Sequence, residues 1–309
     1  MTRSLHVARR CALVGALLLG CVGLAPATDT ALGAPPPDRV ATARAGATSE
    51  DACGPRIARP GGRSWTCSFA DDFRGIRIDG RKWVVQDSAL TGFHTGQTCY
   101  TRHASNVLVR RGTLRLTART VEPFRCGRLP RAFHTRYTGG MIGTKGKFSQ
   151  AFGRFEVRAR FPEGDRSGIH GGLWMYPVDL TYGAWPESGE IDVAEWWSSE
   201  PTQVIPSLHY DGRKRSVDSG FDCWVSTPTR FHTYTLVWLR RVMRFSIDGR
   251  ECFHRRWRPD PPQQAPQPFD QPFSMILNMG VGRTFGRQRV SRYTRFPAQY
   301  VVDYVRAWR

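Results

Sequence analysis

Alternation of apolar and polar residues with a period of two runs through most of the chain beyond residue 65. Because successive side chains of a strand point to opposite faces, this pattern predicts strands that are buried on one face. The clearest predicted strands are residues 113–118, 155–161, 233–239, 243–247 and 301–308. No segment combines a sustained helical period with capping residues. The pattern therefore predicts an all-β fold, a β-jelly-roll sandwich of two antiparallel sheets.

Turn and loop residues separate the predicted strands. Asp248-Gly249 follows one of them and is typical of a tight hairpin turn. Residues 259–268 are rich in proline, which cannot donate a ladder hydrogen bond in a central strand. We therefore expect a hairpin at the first position and a surface loop at the second.

The N-terminal 27 residues follow a different pattern. Basic residues precede a short apolar run at 11–20, and Ala25-Pro26-Ala27 offers a small-residue cleavage site. We therefore predict a signal peptide over residues 1–27 and a secreted protein. The alternative is a lipoprotein signal that ends at Cys21, which would anchor the protein at the cell surface. No later segment is long and apolar enough to cross a bilayer, so no other membrane attachment is expected.

Residues 28–62 are rich in Ala, Pro, Gly, Thr and Arg, which predicts a linker. The folded domain is then expected at 63–309. Cys53 lies near the end of the predicted linker, and we expect it to tie that end to the folded domain.

Six cysteines remain beyond the predicted signal, and an even number in an exported chain indicates disulfides. They are Cys53, Cys67, Cys99, Cys126, Cys223 and Cys252. We expect them to pair sequentially, because each pair brackets a plausible strand–loop–strand unit, although the sequence also permits other pairings. A metal site is the alternative, but no Cys-x-x-Cys or His-x-x-x-His spacing supports it.

The formal net charge is +19, and so basic a chain could bind nucleic acid or an acidic polysaccharide. However, 41 arginines and 4 lysines are spread along the chain rather than clustered, which indicates a compositional habit of the whole sequence. No nucleic-acid-binding motif accompanies the charge. We therefore expect no nucleic-acid partner, while an acidic polysaccharide remains an alternative.

Three acids occur within six residues of strand-like sequence at Glu190, Asp192 and Glu195. Glu190 and Asp192 are two apart and share a face, whereas Glu195 would point away in a regular strand. A β-bulge that absorbs one extra residue would turn Glu195 back to the same face. The two glutamates would then bring their carboxyl groups to within about 5 Å, a separation typical of retaining glycosidases.

Tryptophans crowd this motif, and their faces can stack on the apolar face of a sugar ring. They are Trp174, Trp185, Trp196 and Trp197. Neighbouring residues of a strand face opposite ways, so only one of Trp196 and Trp197 can face a cleft; we predict Trp197. A solvated acidic edge or a calcium site is the alternative for the acids, but calcium usually recruits loop oxygens.

Residues 185–195, Trp-Pro-Glu-Ser-Gly-Glu-Ile-Asp-Val-Ala-Glu, resemble the E-x-D-x-x-E signature of glycoside hydrolase family 16. The six-residue form is similar to the laminarinase-like branch. Similarity extends over about 65–309, and the segments that carry it are 105–107, 112–116, 139–144, 153–162, 207–212, 231–238, 245–249, 276–280 and 302–306.

The resemblance implies a jelly roll with a concave substrate cleft over residues 63–309 and a monomer that needs no cofactor. It implies that Glu190 is the nucleophile, Glu195 the acid/base and Asp192 the assisting carboxylate. The residues it suggests for substrate binding are Trp174, Trp185, Trp197, His170, His209, Asn106 and Asn278. Asp303 resembles a position that helps to bind a structural calcium ion in relatives.

The resemblance predicts a secreted retaining endo-β-glycanase acting on a polysaccharide, with endo-1,3-β-glucanase as the first choice. Alternatives are a β-galactan-cleaving hydrolase, a transglycosylase and a polysaccharide-binding protein without catalysis. Relatives of the last kind usually lose one of the acids, whereas all three persist here. The chain departs from the laminarinase-like pattern at 168–174, where His170 replaces a tryptophan and Gly172 an alanine, which bears on the choice of sugar.

Overall fold

The computed structural model describes residues 51–282 and 288–309, in which strands dominate and the predicted all-β fold is confirmed. The strands are β1 Cys67–Asp71, β2 Val84–Val85, β3 Cys99–Tyr100, β4 Val107–Arg110, β5 Thr113–Cys126, β6 Phe133–Gly143, β7 Gly153–Arg160, β8 Ile169–Pro177, β9 Glu190–Trp197, β10 Val204–His209, β11 His232–Leu239, β12 Val242–Ile247, β13 Arg250–Arg255, β14 Phe273–Val281 and β15 Ala298–Trp308. The helical segments are a 3-10 turn at Asp51–Cys53, α1 Ser88–Thr91 and α2 Arg215–Asp218. In the described part of the chain, neither α-helix is long or apolar enough to cross a membrane.

Two antiparallel layers form the body. The front sheet has the order β10-β9-β8-β14-β6, and the back sheet has the order β5-β15-β7-β11-β12-β13. The β5–β6 hairpin joins the two sheets, and β3 pairs with β6 in the parallel sense. The predicted sandwich of two sheets is therefore confirmed, with one long hairpin shared between them.

Alternating apolar side chains from both sheets fill the core. Phe161, which follows β7, stacks on Tyr300 of the back sheet and on Trp196 of the front sheet, at centroid distances of 4.7 and 5.2 Å. Trp196 is fully buried, so its neighbour Trp197 is left on the opposite face of β9. Full burial of such an aromatic side chain contributes about 2 to 3 kcal/mol by area.

The predicted turn and loop are also found. Asp248 and Gly249 join β12 to β13 with φ values of 49° and 79°, the positive pair that a two-residue hairpin turn requires. Residues 259–268 form no strand or helix. They cross the surface between β13 and β14, as expected from their proline content.

Residues of the segment before residue 62 pack against the folded body. Cys53 is buried and packs with Trp65 and Trp308, and Ile57 packs against the same cluster. Cys53 thus ties this segment to the folded body, as expected, while the bounds of the linker stay a prediction. The predicted signal peptide, Cys21 and residues 28–50 of the predicted linker lie outside the described residues.

Three disulfides have the expected sequential pairing. Cys53 bonds to Cys67, Cys99 to Cys126, and Cys223 to Cys252. The first fastens the N-terminal segment to β1, and the second fastens β3 to the end of β5. Cross-links over such loops restrict the unfolded chain and are worth roughly 3 kcal/mol each.

Candidate active site

A β-bulge in β9 brings the three acids to one face of the front sheet. On one side, Leu173 and Trp174 of β8 pair with Ala194 and Asp192. On the other side, the register of β10 shifts across the same position. Val193 is therefore the extra residue, and the predicted bulge is confirmed.

Gly172 makes room for this bulge. It pairs with Glu195 and has a φ of 156°, and a Cβ atom built there would lie 1.9 Å from the carbonyl oxygen of Ala194. An alanine cannot be accommodated without a shift of the backbone. The glycine at 172, where the laminarinase-like pattern has an alanine, is thus explained by the close approach of the bulged strand β9.

A cleft of about 930 Å³ lies over the outer face of the front sheet. It is lined by nine of the ten predicted catalytic and substrate-binding residues, namely Glu190, Asp192, Glu195, Trp174, Trp185, Trp197, His170, His209 and Asn278. A concave site of this size with aromatic walls and a few polar groups is typical of small-molecule and oligosaccharide binding.

Burial sets the electrostatics of the acids. Together with the nearby charge of Asp192, it raises the pKa of Glu190 and Glu195 to about 8 each. Burial also raises the pKa of Asp192 to about 7, against the through-space charge of Arg213. Three negative charges are therefore not stable together near neutral pH, and the cluster holds at least one proton.

Aromatic and imidazole groups hold each carboxyl in place. The Trp185 indole donates to Oε2 of Glu190 at 2.7 Å, and Nε2 of His209 lies 2.9 Å from Oδ2 of Asp192. A hydrogen bond from Trp197 lowers the pKa of Glu195 relative to the effect of burial alone. Burial lowers the pKa of His209, which favours the neutral imidazole.

His170 and Trp174 flank Gly172 on the cleft face of β8. His170 stacks on Trp197 at 4.9 Å, and Nε2 of His170 lies 3.0 Å from the hydroxyl of Thr95. The Trp174 indole donates to Oδ1 of Asn278 at 3.0 Å. His170 is therefore a strand residue of the cleft wall.

Asn106 does not reach the cleft, so its predicted role in substrate binding is corrected. Its amide donates to the carbonyl of Thr117 at 2.8 Å and to the hydroxyl of Thr138 at 3.0 Å, and its oxygen accepts from Thr101. Asn106 is buried, and its hydrogen-bonding capacity is used between strands. We therefore assign it a structural role.

Asp303 is paired with a cation of the protein in this structure, and calcium binding there stays a prediction. Its carboxylate pairs with the guanidinium of Arg158, which in turn lies over the ring of Phe231. A cation so close to the carboxylate opposes the binding of a second cation. Within residues 51–282 and 288–309, no group of three or more His, Cys, Asp or Glu side chains is arranged to hold a metal ion.

Several cleft residues were missed from the sequence. Tyr176 continues the alternation of His170 and Trp174 on β8, so strand periodicity alone could have found it. Phe93 and Thr95 lie in a segment between α1 and β3. That segment has no period, so no sequence signal placed it at the cleft.

Comparison with known proteins gives one consistent family. The model for glycosyl hydrolases family 16 matches residues 94–304. The β-glucanase of Rhodothermus marinus is 34% identical over 79% of this chain and 85% of its own length. The glucan endo-1,3-β-glucosidase A1 of Niallia circulans is 31% identical over 78% of this chain, which spans only 37% of that protein.

A solved structure agrees with these sequence matches. A variant of SCLam, described as a non-specific endo-β-1,3(4)-glucanase and co-crystallised with a glucan oligosaccharide, superposes with a TM-score of 0.68 at 27% identity. The match covers 79% of this chain and 95% of that chain. Fold, site and sequence therefore point to the same family.

Proposed function

The chain belongs to family 16 of the glycosyl hydrolases, a family of retaining enzymes, and on that premise we propose that it hydrolyses internal β-1,3 bonds of a β-glucan. The observation that carries the proposal is the bulged strand β9, which aligns Glu190, Asp192 and Glu195 along one cleft. We further propose that the protein is exported. The three disulfides of the body support an oxidising compartment.

In the first step, the ionised carboxylate of Glu190 attacks the anomeric carbon and the glycosidic C–O bond breaks. Glu195, as the glutamate that carries the proton retained by the acid cluster, gives this proton to the departing oxygen. The products of this step are a covalent glycosyl–Glu190 ester and a free sugar chain.

In the second step, Glu195 accepts a proton from water while the water oxygen attacks the same anomeric carbon. The ester bond to Glu190 breaks, and the sugar leaves with its original β configuration. Asp192 lies between the two glutamates along β9 and forms a hydrogen-bonded pair with His209. Deprotonation of Asp192 raises the pKa of both glutamates, so the cluster retains the one proton that Glu195 carries in this mechanism while Glu190 is ionised.

The β-1,3 linkage rests on the relatives. Of the two relatives described above, one is named a β-glucanase and the other a glucan endo-1,3-β-glucosidase. Trp174, Trp185 and Trp197 provide the stacking surfaces that a glucan chain requires. His170 in place of a tryptophan is the feature that favours a different sugar, and β-galactans are the first alternative.

A substrate panel with product sizing tests this proposal. Laminarin, a mixed-linkage β-glucan, agarose and carrageenan are incubated with the wild type, with Glu190→Gln and with Glu200→Gln, an exposed acid on the loop after β9. We expect short oligosaccharides of β configuration from laminarin with the wild type and Glu200→Gln, and none with Glu190→Gln.

Other outcomes separate the alternatives. Cleavage of agarose or carrageenan in preference to laminarin contradicts the linkage and identifies a galactan hydrolase. Products longer than the substrate identify a transglycosylase. Binding of laminarin with no change in its length over long incubation identifies a binding protein and contradicts the proposal.

A further inference from the structure

A chain of hydrogen bonds runs along the cleft face of the front sheet from Trp174 to His170. The Trp174 indole donates to Oδ1 of Asn278, and the amide of Asn278 donates to the hydroxyl of Tyr100 at 3.1 Å. The Tyr100 hydroxyl lies 2.5 Å from that of Thr95, which lies 3.0 Å from Nε2 of His170. Tyr100 is therefore the central member, and both ends of the chain face the cleft.

Tyr100 does not line the cleft, and it is fully buried. Its backbone amide donates to the hydroxyl of Ser88 at 2.8 Å, and its neighbour Cys99 is disulfide-bonded to Cys126. These contacts fix β3 against cleft-lining residues of the front sheet, because Tyr100 packs with Met141 and Ile276. Any effect of Tyr100 on substrate must therefore pass through the residues to which it is bonded.

Gly280 of β14 leaves the space that the Tyr100 hydroxyl uses. A Cβ atom built on Gly280 would lie 2.8 Å from that hydroxyl and 3.1 Å from Cε1 of His170. The close approach of the sheet backbone thus lets a tyrosine on β3 bond to a side chain on β14. A larger residue at position 280 would therefore displace both Tyr100, at the centre of the hydrogen-bond chain, and His170, at one end of it.

The hydrogen-bond chain joins β8 to a segment without regular structure. Trp174 and His170, the two ends, lie on β8, whereas Thr95 lies in the irregular segment that lines the cleft together with Phe93. A loop without regular backbone pairing needs side-chain bonds to hold one conformation. The Tyr100 hydroxyl supplies such a bond and connects it to the indole expected to stack on sugar.

We propose that Tyr100 is a positioning residue that fixes the Thr95 wall and Trp174 for substrate binding and takes no part in bond cleavage. The proposal rests on the proposed function only in that the cleft binds a β-glycan. Glu190 is held by Trp185 and Asp192 by His209, whereas Glu195 contacts the hydrogen-bond chain only through Trp197, on which His170 stacks. Loss of the hydroxyl should therefore affect KM far more than kcat.

The test compares Tyr100→Phe with Tyr300→Phe. Tyr300 is also fully buried, but among the described residues its hydroxyl has no hydrogen-bond partner, so each variant deletes one buried hydroxyl. On the polysaccharide that the wild type cleaves fastest, we expect Tyr100→Phe to raise KM about tenfold with kcat within about twofold. Tyr300→Phe should leave both values unchanged.

Equal effects of the two variants, or a fall in kcat at unchanged KM, would overturn the proposal. Thermal unfolding of each variant shows whether it is folded at the assay temperature. If Tyr100→Phe does not fold, Gly280→Ala replaces it as a perturbation that removes no hydrogen-bonding group, with the same expected rise in KM.

A double-mutant cycle with Thr95→Val gives a second criterion. If the chain acts as one unit, Tyr100→Phe with Thr95→Val raises KM no more than the stronger single variant. If the two variants have additive effects on log KM, the proposed coupling of Tyr100 and Thr95 through the hydrogen-bond chain is contradicted. The substrate panel tests the β-1,3 linkage separately. The comparison of Tyr100→Phe with Tyr300→Phe does not depend on that linkage, because it uses whichever polymer the wild type cleaves.

Discussion

Glu156 and Asp218, buried acids outside the cleft, have their charge neutralised by an arginine, whereas among the described residues the cleft acids have no such partner. Glu156 of the back sheet is 6% exposed and contacts the guanidinium of Arg154. It also accepts hydrogen bonds from Tyr304 at 2.8 Å and Thr235 at 3.2 Å. Its charge is thus neutralised and its oxygens are satisfied, as expected for a structural acid.

Asp218 of α2 is balanced in the same way. It is fully buried, with Arg255 at 2.6 Å, the Tyr210 hydroxyl at 2.9 Å and the Lys214 amide at 2.7 Å. In the part of the chain that the structure describes, no lysine or arginine pairs directly with Glu190, Asp192 or Glu195. The cleft acids have one another, an imidazole and indoles instead, so burial raises their pKa. Uncompensated burial of this kind is expected where protons must move.

The largest effect should come from removing one cleft acid. Glu195→Gln keeps the shape of the side chain but cannot donate or accept the proton, so kcat/KM should fall by on the order of 10⁴-fold. The same change relieves repulsion within the acid cluster, so the free energy of unfolding should stay equal or rise. Initial rates and urea denaturation measure the two effects. If Glu195→Gln instead lowers the free energy of unfolding, as loss of a hydrogen-bonded buried group usually does, the contrast between the cleft acids and the structural acids is contradicted.

A structural acid should respond in the opposite way. Arg255→Met leaves Asp218 buried without its cation, and the free energy of unfolding should fall by about 3 kcal/mol. The kcat/KM of the folded enzyme should change by less than about twofold, because Arg255 does not line the cleft. Arg250→Met, on the exposed start of the same strand, is the matched control and should alter neither quantity. Equal destabilisation by both variants would show that Asp218 does not need its partner.

The sequence predicted the cleft acids better than the walls around them. Residues 190–195 carry a local pattern, since alternation and one extra residue decide which side chains share a face. The same logic assigned Trp196 to the core and Trp197 to the cleft. Periodicity could also have found Tyr176, which simply extends the series on β8.

Other contacts depend on elements distant in sequence, which no local pattern encodes. Asn106 was predicted from resemblance alone, yet partners from β5 and β6 satisfy its amide. Thr95 reaches His170 across 75 residues, so this bond depends on the tertiary fold and not on any local pattern. Composition alone predicted a linker up to residue 62, yet Cys53 and Ile57 pack in one cluster with Trp308 near the other end of the sequence.

Dependence of stability on pH should distinguish the two kinds of acid. For Glu195, the folded pKa of about 8 exceeds the ordinary value of 4.5. Its contribution to stability is therefore complete below about pH 4.5 and is lost as the pH rises through about 8. We expect the free energy of unfolding of the wild type to fall over that interval by on the order of 2 kcal/mol more than that of Glu195→Gln.

Urea denaturation at pH 5, 7 and 9 measures this difference, with Glu200→Gln as the control that should follow the wild type. Catalysis should weaken above pH 8 for the same reason, because Glu195 then loses the proton it donates. Parallel stability profiles for the wild type and Glu195→Gln would mean that the cleft acids are compensated like Glu156.

The smallest effect is expected at Asp303, an acid of the back sheet that is paired and partly exposed. Its side chain and that of Arg158 are 35% and 40% exposed, and such pairs contribute less than about 1 kcal/mol. Asp303→Asn should therefore change the free energy of unfolding by less than that amount. Thermal unfolding with calcium and with a chelator completes the test. A calcium ion bound at Asp303 would make the midpoint of the wild type fall with chelator and that of Asp303→Asn stay constant. Equal midpoints for the wild type in both solutions would instead leave Arg158 as the cation that Asp303 binds, and would place this acid with Glu156 and Asp218 rather than with the cleft.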